Sequence, residues 1–138
     1  MEPHSVQNSV YREQILAVQR AALAAVEPGA AVRRHAQRQG DELVVDGRTH
    51  DLSGGGRVWV VGGGKAATAM AAALHSLLGE RLAGGLVVTK YGHADPSLDT
   101  GPVSVVEAGH PLPDEAGVSG TQRMAGLLRN TSEGDLVL

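Results

Sequence analysis

The sequence predicts an α/β fold, and three features carry that prediction. Short apolar runs bounded by glycine or turn residues recur at 57–61, 85–89 and 103–107, the pattern of strands buried on both faces of a parallel sheet. Between and after them lie segments of helical length rich in Ala and Leu, at 65–78 and 115–130. The first run passes into the first of these segments through a three-glycine turn, Gly62-Gly63-Gly64, followed at once by Lys65. Strand, glycine turn and helix in succession describe a Rossmann-like parallel sheet with flanking helices.

Each element has its own signal. Residues 9–26 read as a first helix, with Ser9 as N-cap and Tyr11, Ile15, Val18, Ala22 and Val26 at helical spacing, widened by Leu16 and Leu23. Pro28-Gly29 stops it, and a short polar helix over 30–38 follows, its Arg33, Arg34 and Arg38 on a solvated face. Residues 42–45 and 48–52 flank Asp46-Gly47, a strong two-residue hairpin signal. Ser53-Gly54-Gly55-Gly56 is a flexible joint. Residues 1–52 are therefore expected to pack as helices and a hairpin on the same domain as a Rossmann-like core over 53–138. In that core the helix after the glycine turn runs to Leu78, with Gly79 as its C′ residue. The last helix is expected to turn Val118, Thr121, Met124, Leu127 and Leu128 inward, with Asp114 as its N-cap. Asp135-Leu136-Val137-Leu138 reads as a fourth strand inside which the chain stops, so the core is expected to be truncated and the sequence to be the N-terminal portion of a longer protein.

Composition narrows the function. The 138 residues carry 12 basic and 15 acidic side chains, a net charge of −3 that gives no reason to expect a nucleic-acid or anionic-membrane partner. There are no cysteines, which excludes disulfides, Cys-ligated zinc and thiol catalysis and fits a cytoplasmic setting. No apolar run approaches the roughly 18 residues that span a bilayer, and Met1–Asn8 lacks a signal-peptide apolar region. With 19 glycines and only three aromatics, the core is one of Val, Leu and Ala.

The glycine turn is the candidate site. N–H groups at the start of a helix, beside the positive end of its dipole, form an anion site. Lys65 in the first turn of that helix opposes the dipole by roughly 0.3–1 kcal/mol, a placement that makes better sense with an anion present. Gly62-x-Gly64-x-x-Ala67 matches a relaxed dinucleotide fingerprint, but the acid expected at the end of the second strand is replaced by Thr89-Lys90. That disfavours NAD and leaves NADP or another phosphate ligand. The ATP-type P-loop is also absent, since Trp59 stands where its first glycine belongs and Ala66 follows the lysine. Two further loops share the same sheet edge if the strands are parallel. One carries Lys90 and His93, the other Glu107 and His110; all four are candidates for substrate binding or acid/base work. No His-x-x-x-His metal pair is present, and the metal ligands stay unassigned. A tight structural turn with an exposed lysine remains the plain alternative for the glycines.

Three blocks taken together are more specific. Gly62 to Ala67, Gly84 to His93 and Glu107 to Gly117 closely resemble the N-terminal domain of the two-domain glycerate 2-kinase family, the MOFRL type, some members of which carry the label hydroxypyruvate reductase. The resemblance runs from about residue 10 to the end and is weakest around the Asp46-Gly47 hairpin. It implies ATP-dependent phosphorylation of the 2-hydroxyl of D-glycerate with Mg2+, in a cleft between two domains, with Lys65 in the position of the catalytic lysine. It also implies a C-terminal domain absent from this sequence, without which the fragment is expected to be inactive. Two alternatives stay open: an NADP-dependent hydroxypyruvate reductase, and a truncated anion-binding domain without catalysis that self-associates through its open sheet edge.

Overall fold

The computed structural model describes residues 3–138, with side chains described from Tyr11 onward. It opens with helix α1 (Pro3–Ala25) and helix α2 (Pro28–His35). Because α1 begins at Pro3, Ser9 lies inside the helix and does not cap it. The apolar stripe expected to face inward is also turned to solvent: Tyr11, Ile15, Val18, Leu23 and Val26 are all exposed. Helix α2 is fixed firmly, since the Glu27 carboxylate accepts hydrogen bonds from Gly29 N (2.7 Å) and Ala30 N (2.5 Å) and Pro28 supplies its first turn. Those two bonds, from Gly29 first, hold the Glu27 carboxyl below the usual range.

Three short antiparallel strands follow, β1 (Ala36–Gln39), β2 (Glu42–Val45) and β3 (Arg48–Asp51), in the order β1-β2-β3. The Asp46-Gly47 turn is the expected hairpin, with φ of 48° and 78° at its two residues, as a type I′ turn requires. Strand β1 replaces the last part of the helix expected over 30–38. Gln37-Arg38-Gln39 offers no apolar helical stripe, and pairing with Glu42–Val44 satisfies its backbone. Arg38 is no solvated bystander: it donates to Gly40 O (2.8 Å) and to Leu78 O (2.7 Å), the latter a carbonyl in the last turn of the next helix.

The main sheet contains β4 (Val58–Gly63), β5 (Leu82–Lys90), β6 (Val103–Ala108) and β7 (Leu136–Val137), all parallel, in the order β6-β5-β4-β7. Helix α3 (Ala67–Leu78) connects β4 to β5 through a short 3-10 turn at Gly79–Arg81, and α4 (Glu115–Leu128) connects β6 to β7. Gly79 closes α3 with φ of 55°, as expected of the residue that ends it. The chain thus steps from β4 outward to β6 and then crosses back to β7 on the other side of β4. That reversal beside β4 is a topological switch point, where parallel α/β sheets bind ligands beyond the carboxyl ends of their strands.

One core joins the two sheets, for Leu43 and Leu52 of the small antiparallel layer pack with Val58, Val60, Leu78, Leu82, Val87 and Val103. Arg81 reinforces the join through Asp41 and Leu52 O. The inward face of α4 differs from the one expected. Val118 and Thr121 are exposed, the expected Met124, Leu127 and Leu128 are half-buried, and Gly117 and Gly120 lie against the sheet. A Cβ added at Gly120 would lie 3.0 Å from a Val88 methyl and 3.3 Å from a Val106 methyl, so the helix rests on its glycines.

Candidate functional site

Strand β4 runs into the turn Gly62-Gly63-Gly64-Lys65-Ala66, and Gly64 adopts φ of 132°, a conformation open to glycine. Gly64 N donates to Val88 O (2.9 Å), which prolongs the β4–β5 ladder by one residue. The Gly64 N–H, expected to face an anion, is therefore committed to the sheet. Ala67 N donates to Gly64 O (3.1 Å), and among the described residues Lys65 N and Ala66 N have no acceptor in the protein. Helix α3 begins at Ala67, so Lys65 precedes its first turn. No side chain caps that end, and its first turn holds no acid. The first N–H groups of such a helix have no partner within the helix itself.

The three loops predicted to share one edge do so. A cavity of about 500 Å³ is lined by Gly63, Gly64, Lys65 and Ala66 from the turn, Val88, Thr89 and Lys90 from the end of β5, and Ala108, Gly109 and His110 from the end of β6. That volume lies in the range of small-ligand sites. Lys65, Lys90 and His110 supply its basic groups, and no carboxylate lines it. Gly62 lines a neighbouring cavity on the α3 side, together with Met70, Leu74 and Leu138. His93 and Glu107 are not among the lining residues of the first cavity.

Glu107 instead organises the loop after β5. Its Oε1 accepts from Ala94 N (2.9 Å) and His93 N (3.0 Å), and these bonds, Ala94 first, hold its carboxyl below the usual range. The His93 carbonyl accepts from Thr68 Oγ1 (3.4 Å), tying the same loop to α3. Asp114 is the expected N-cap of α4, with Oδ1 accepting from Gly117 N (3.0 Å). Its Oδ2 accepts from Tyr91 Oη (2.8 Å), a bond that raises the Tyr91 hydroxyl above its ordinary pKa and braces the β5 loop against the β6 loop. Backbone N–H groups, Gly109 first, together with Tyr91 keep Asp114 ionised.

One polar lining residue was not among the expected site residues. Thr89 is 2 % exposed, and its Oγ1 is the one buried side-chain polar atom without a hydrogen-bond partner among the described residues. An unsatisfied buried hydroxyl costs about 1–3 kcal/mol. The available signal was a hydroxyl closing an otherwise apolar strand, Leu86-Val87-Val88-Thr89, next to the glycine turn.

Known proteins resemble the chain in sequence and in fold. Residues 14–138 match the family model DUF4147, described as a domain of unknown function. The chain is 45 % identical over 83 residues to an Agrobacterium vitis protein with the provisional name hydroxypyruvate reductase, covering 60 % of this chain and 21 % of that protein. It is 44 % identical over 82 residues to a D-glycerate 2-kinase of Thermotoga maritima, covering 59 % of this chain and 19 % of the kinase. A crystal structure of a protein from Pyrococcus horikoshii OT3 superposes with a TM-score of 0.78 at 33 % identity, over 92 % of this chain and 28 % of that one. The chain thus spans between about a fifth and three-tenths of the length of these relatives.

Proposed function

The chain belongs to the DUF4147 family, the N-terminal domain of glycerate 2-kinases, and from that premise we propose that it forms the phosphate-binding half of an ATP-dependent kinase acting on the 2-hydroxyl of D-glycerate. One observation carries the reading: the glycine turn, Lys65, Lys90 and His110 meet in a single acid-free cavity at the carboxyl ends of three parallel strands. Phosphoryl transfer asks mainly for positioning and for cancellation of phosphate charge. The Lys65 ammonium, the N–H groups of Lys65 and Ala66 and the uncapped start of α3 offer that to the phosphates of ATP. Lys90 and His110, across the cavity, are suited to hold the carboxylate and hydroxyls of glycerate. Glu107 and Asp114 act as positioning residues, their oxygens engaged with loop N–H groups and with Tyr91.

The lining fits a phosphate, and Mg2+ bound with ATP would be held largely by the phosphates and water. Among the described residues no three His, Asp or Glu side chains converge. No step is therefore routed through the ion. The remaining charged groups and the closure of the cleft are assigned to the portion that relatives carry beyond the length matched here.

The test is Lys65→Ala in a polypeptide that joins this chain to that portion. Phosphorylation of D-glycerate should fall by roughly a hundredfold or more, and an unchanged rate would sink the proposal. The relative named hydroxypyruvate reductase keeps a second reading in view. Titration of the chain with ATP and with NADPH separates the two, since only a reductase predicts tight, saturable NADPH binding. A cytoplasmic setting is part of the proposal, which is compatible with the finding that no single described helix is long and apolar enough to cross a membrane.

A further inference from the structure

Thr89 has no task in the fold that accounts for its hydroxyl. It is the penultimate residue of β5, 2 % exposed, and its Oγ1 meets no partner among the described residues. The other buried threonine, Thr68, does have one, the His93 carbonyl at 3.4 Å. Thr89 also stands in a particular place. Val88 O takes the N–H of Gly64, so the next residue along β5 lies beside the Gly64–Lys65 step of the turn. Both segments line the same cavity.

We propose that the Thr89 hydroxyl is a hydrogen-bond donor to the phosphate held at the Gly63–Ala66 turn, and so a binding residue of this site alongside Lys65. The inference rests on the reading of the turn as a phosphate site and extends it to a residue of the neighbouring strand. The chemistry of the cavity selects the ligand class. Lys65, Lys90 and His110 line that cavity together with Thr89, and no carboxylate is among its lining residues. A ligand that completes this site is rich in acceptors and anionic. A hydroxyl can rotate its proton toward any oxygen of such a group, and a hydrogen bond to a charged acceptor is among the stronger ones.

Two variants and two probes test the assignment. Thr89→Val keeps the size and β-branch but removes the hydroxyl, and Thr89→Ser keeps the hydroxyl. Binding of inorganic phosphate and of ATP to the chain is measured by calorimetry, and thermal melting is followed in parallel. Thr89→Val should melt at or above the wild-type temperature, because the fold does not use the hydroxyl, and should bind both probes roughly tenfold more weakly. Thr89→Ser should bind within about threefold of wild type. Lys65→Ala is the control for the turn. If it loses the probes while Thr89→Val binds like wild type, the role of Thr89 is overturned and the turn stands. If Thr89→Val melts well below wild type and Thr89→Ser restores it, the hydroxyl serves the fold and the inference also fails. If the wild-type chain binds neither probe, the phosphate reading of the turn falls, and Thr89 with it.

Discussion

Asp135 does at one residue what the small end strand β7 cannot do alone. Its Oδ1 accepts from Arg57 N (2.9 Å), and its Oδ2 accepts from Trp59 Nε1 and Ser132 N (each 3.0 Å). Arg57 pairs with it at 3.6 Å and lies 5.2 Å over the Trp59 ring. These contacts, the Ser132 and Arg57 backbone bonds first, lower the Asp135 carboxyl from 3.8 to about 2. A carboxyl whose folded value lies below its unfolded one stabilises the protein fully above the unfolded value, and that contribution fades as pH falls toward the folded value. Asp135→Asn should therefore lower the melting temperature by about 5 °C or more at neutral pH. The gap to wild type should narrow as pH drops from 3.8 toward about 2, as read from melting curves across that range. A gap that stays constant with pH would mean that the charge is not what matters. Residue roles of this kind were poorly legible in the sequence. Asp114 was readable as a cap because its partner, Gly117, is three residues away. Asp135 reaches Arg57 across 78 residues and Glu107 reaches Ala94 across 13, so neither role exists before the sheet brings the loops together.

At the scale of elements, glycine decides how closely strands and helices approach. Gly85 sits in β5 opposite Val60 of β4, and a Cβ there would lie 2.1 Å from Val60 O, a backbone atom that cannot move aside. Gly85→Ala should cost about 1–3 kcal/mol or more, seen as a lower urea midpoint. Gly120→Ala, in α4, offers a contrast. Its Cβ would press at 3.0 and 3.3 Å on methyls of Val88 and Val106, side-chain atoms that need give only a few tenths of an ångström, and the helix gains roughly 0.5–1 kcal/mol of propensity. That variant should fall within about 1 kcal/mol of wild type by the same measurement. Equal losses at the two sites would refute the distinction. The same physics separates the elements that were legible from those that were not. Buried parallel strands and the Asp46-Gly47 turn announce themselves by composition. The first part of the α4 face does not, because Gly117 and Gly120 bring no side chain to the sheet and are outweighed on paper by Val118.

For the whole molecule, the order β6-β5-β4-β7 sets the glycine turn at the point where the sheet reverses, and it gathers three loops distant in sequence into one cavity. That convergence was legible in advance, because parallel strands send all their carboxyl ends to one edge. The place of α1 was not, because an amphipathic stripe says only that a helix has a face to bury, not where that face goes. Here Ile15, Val18, Leu23 and Val26 are exposed, and among the residues whose side chains are described the shared core runs from Leu43 to Val103 without drawing on α1. The cap of α2 lies at Glu27, beyond the end of α1. A chain that begins at Val26 keeps that cap, the antiparallel layer and the whole parallel sheet. It should melt cooperatively within about 3 °C of the longer chain, since little buried surface leaves with the helix. It should also be less prone to self-association, because exposed apolar side chains leave with it. A drop in melting temperature on the order of 10 °C would show instead that α1 is part of the folded unit.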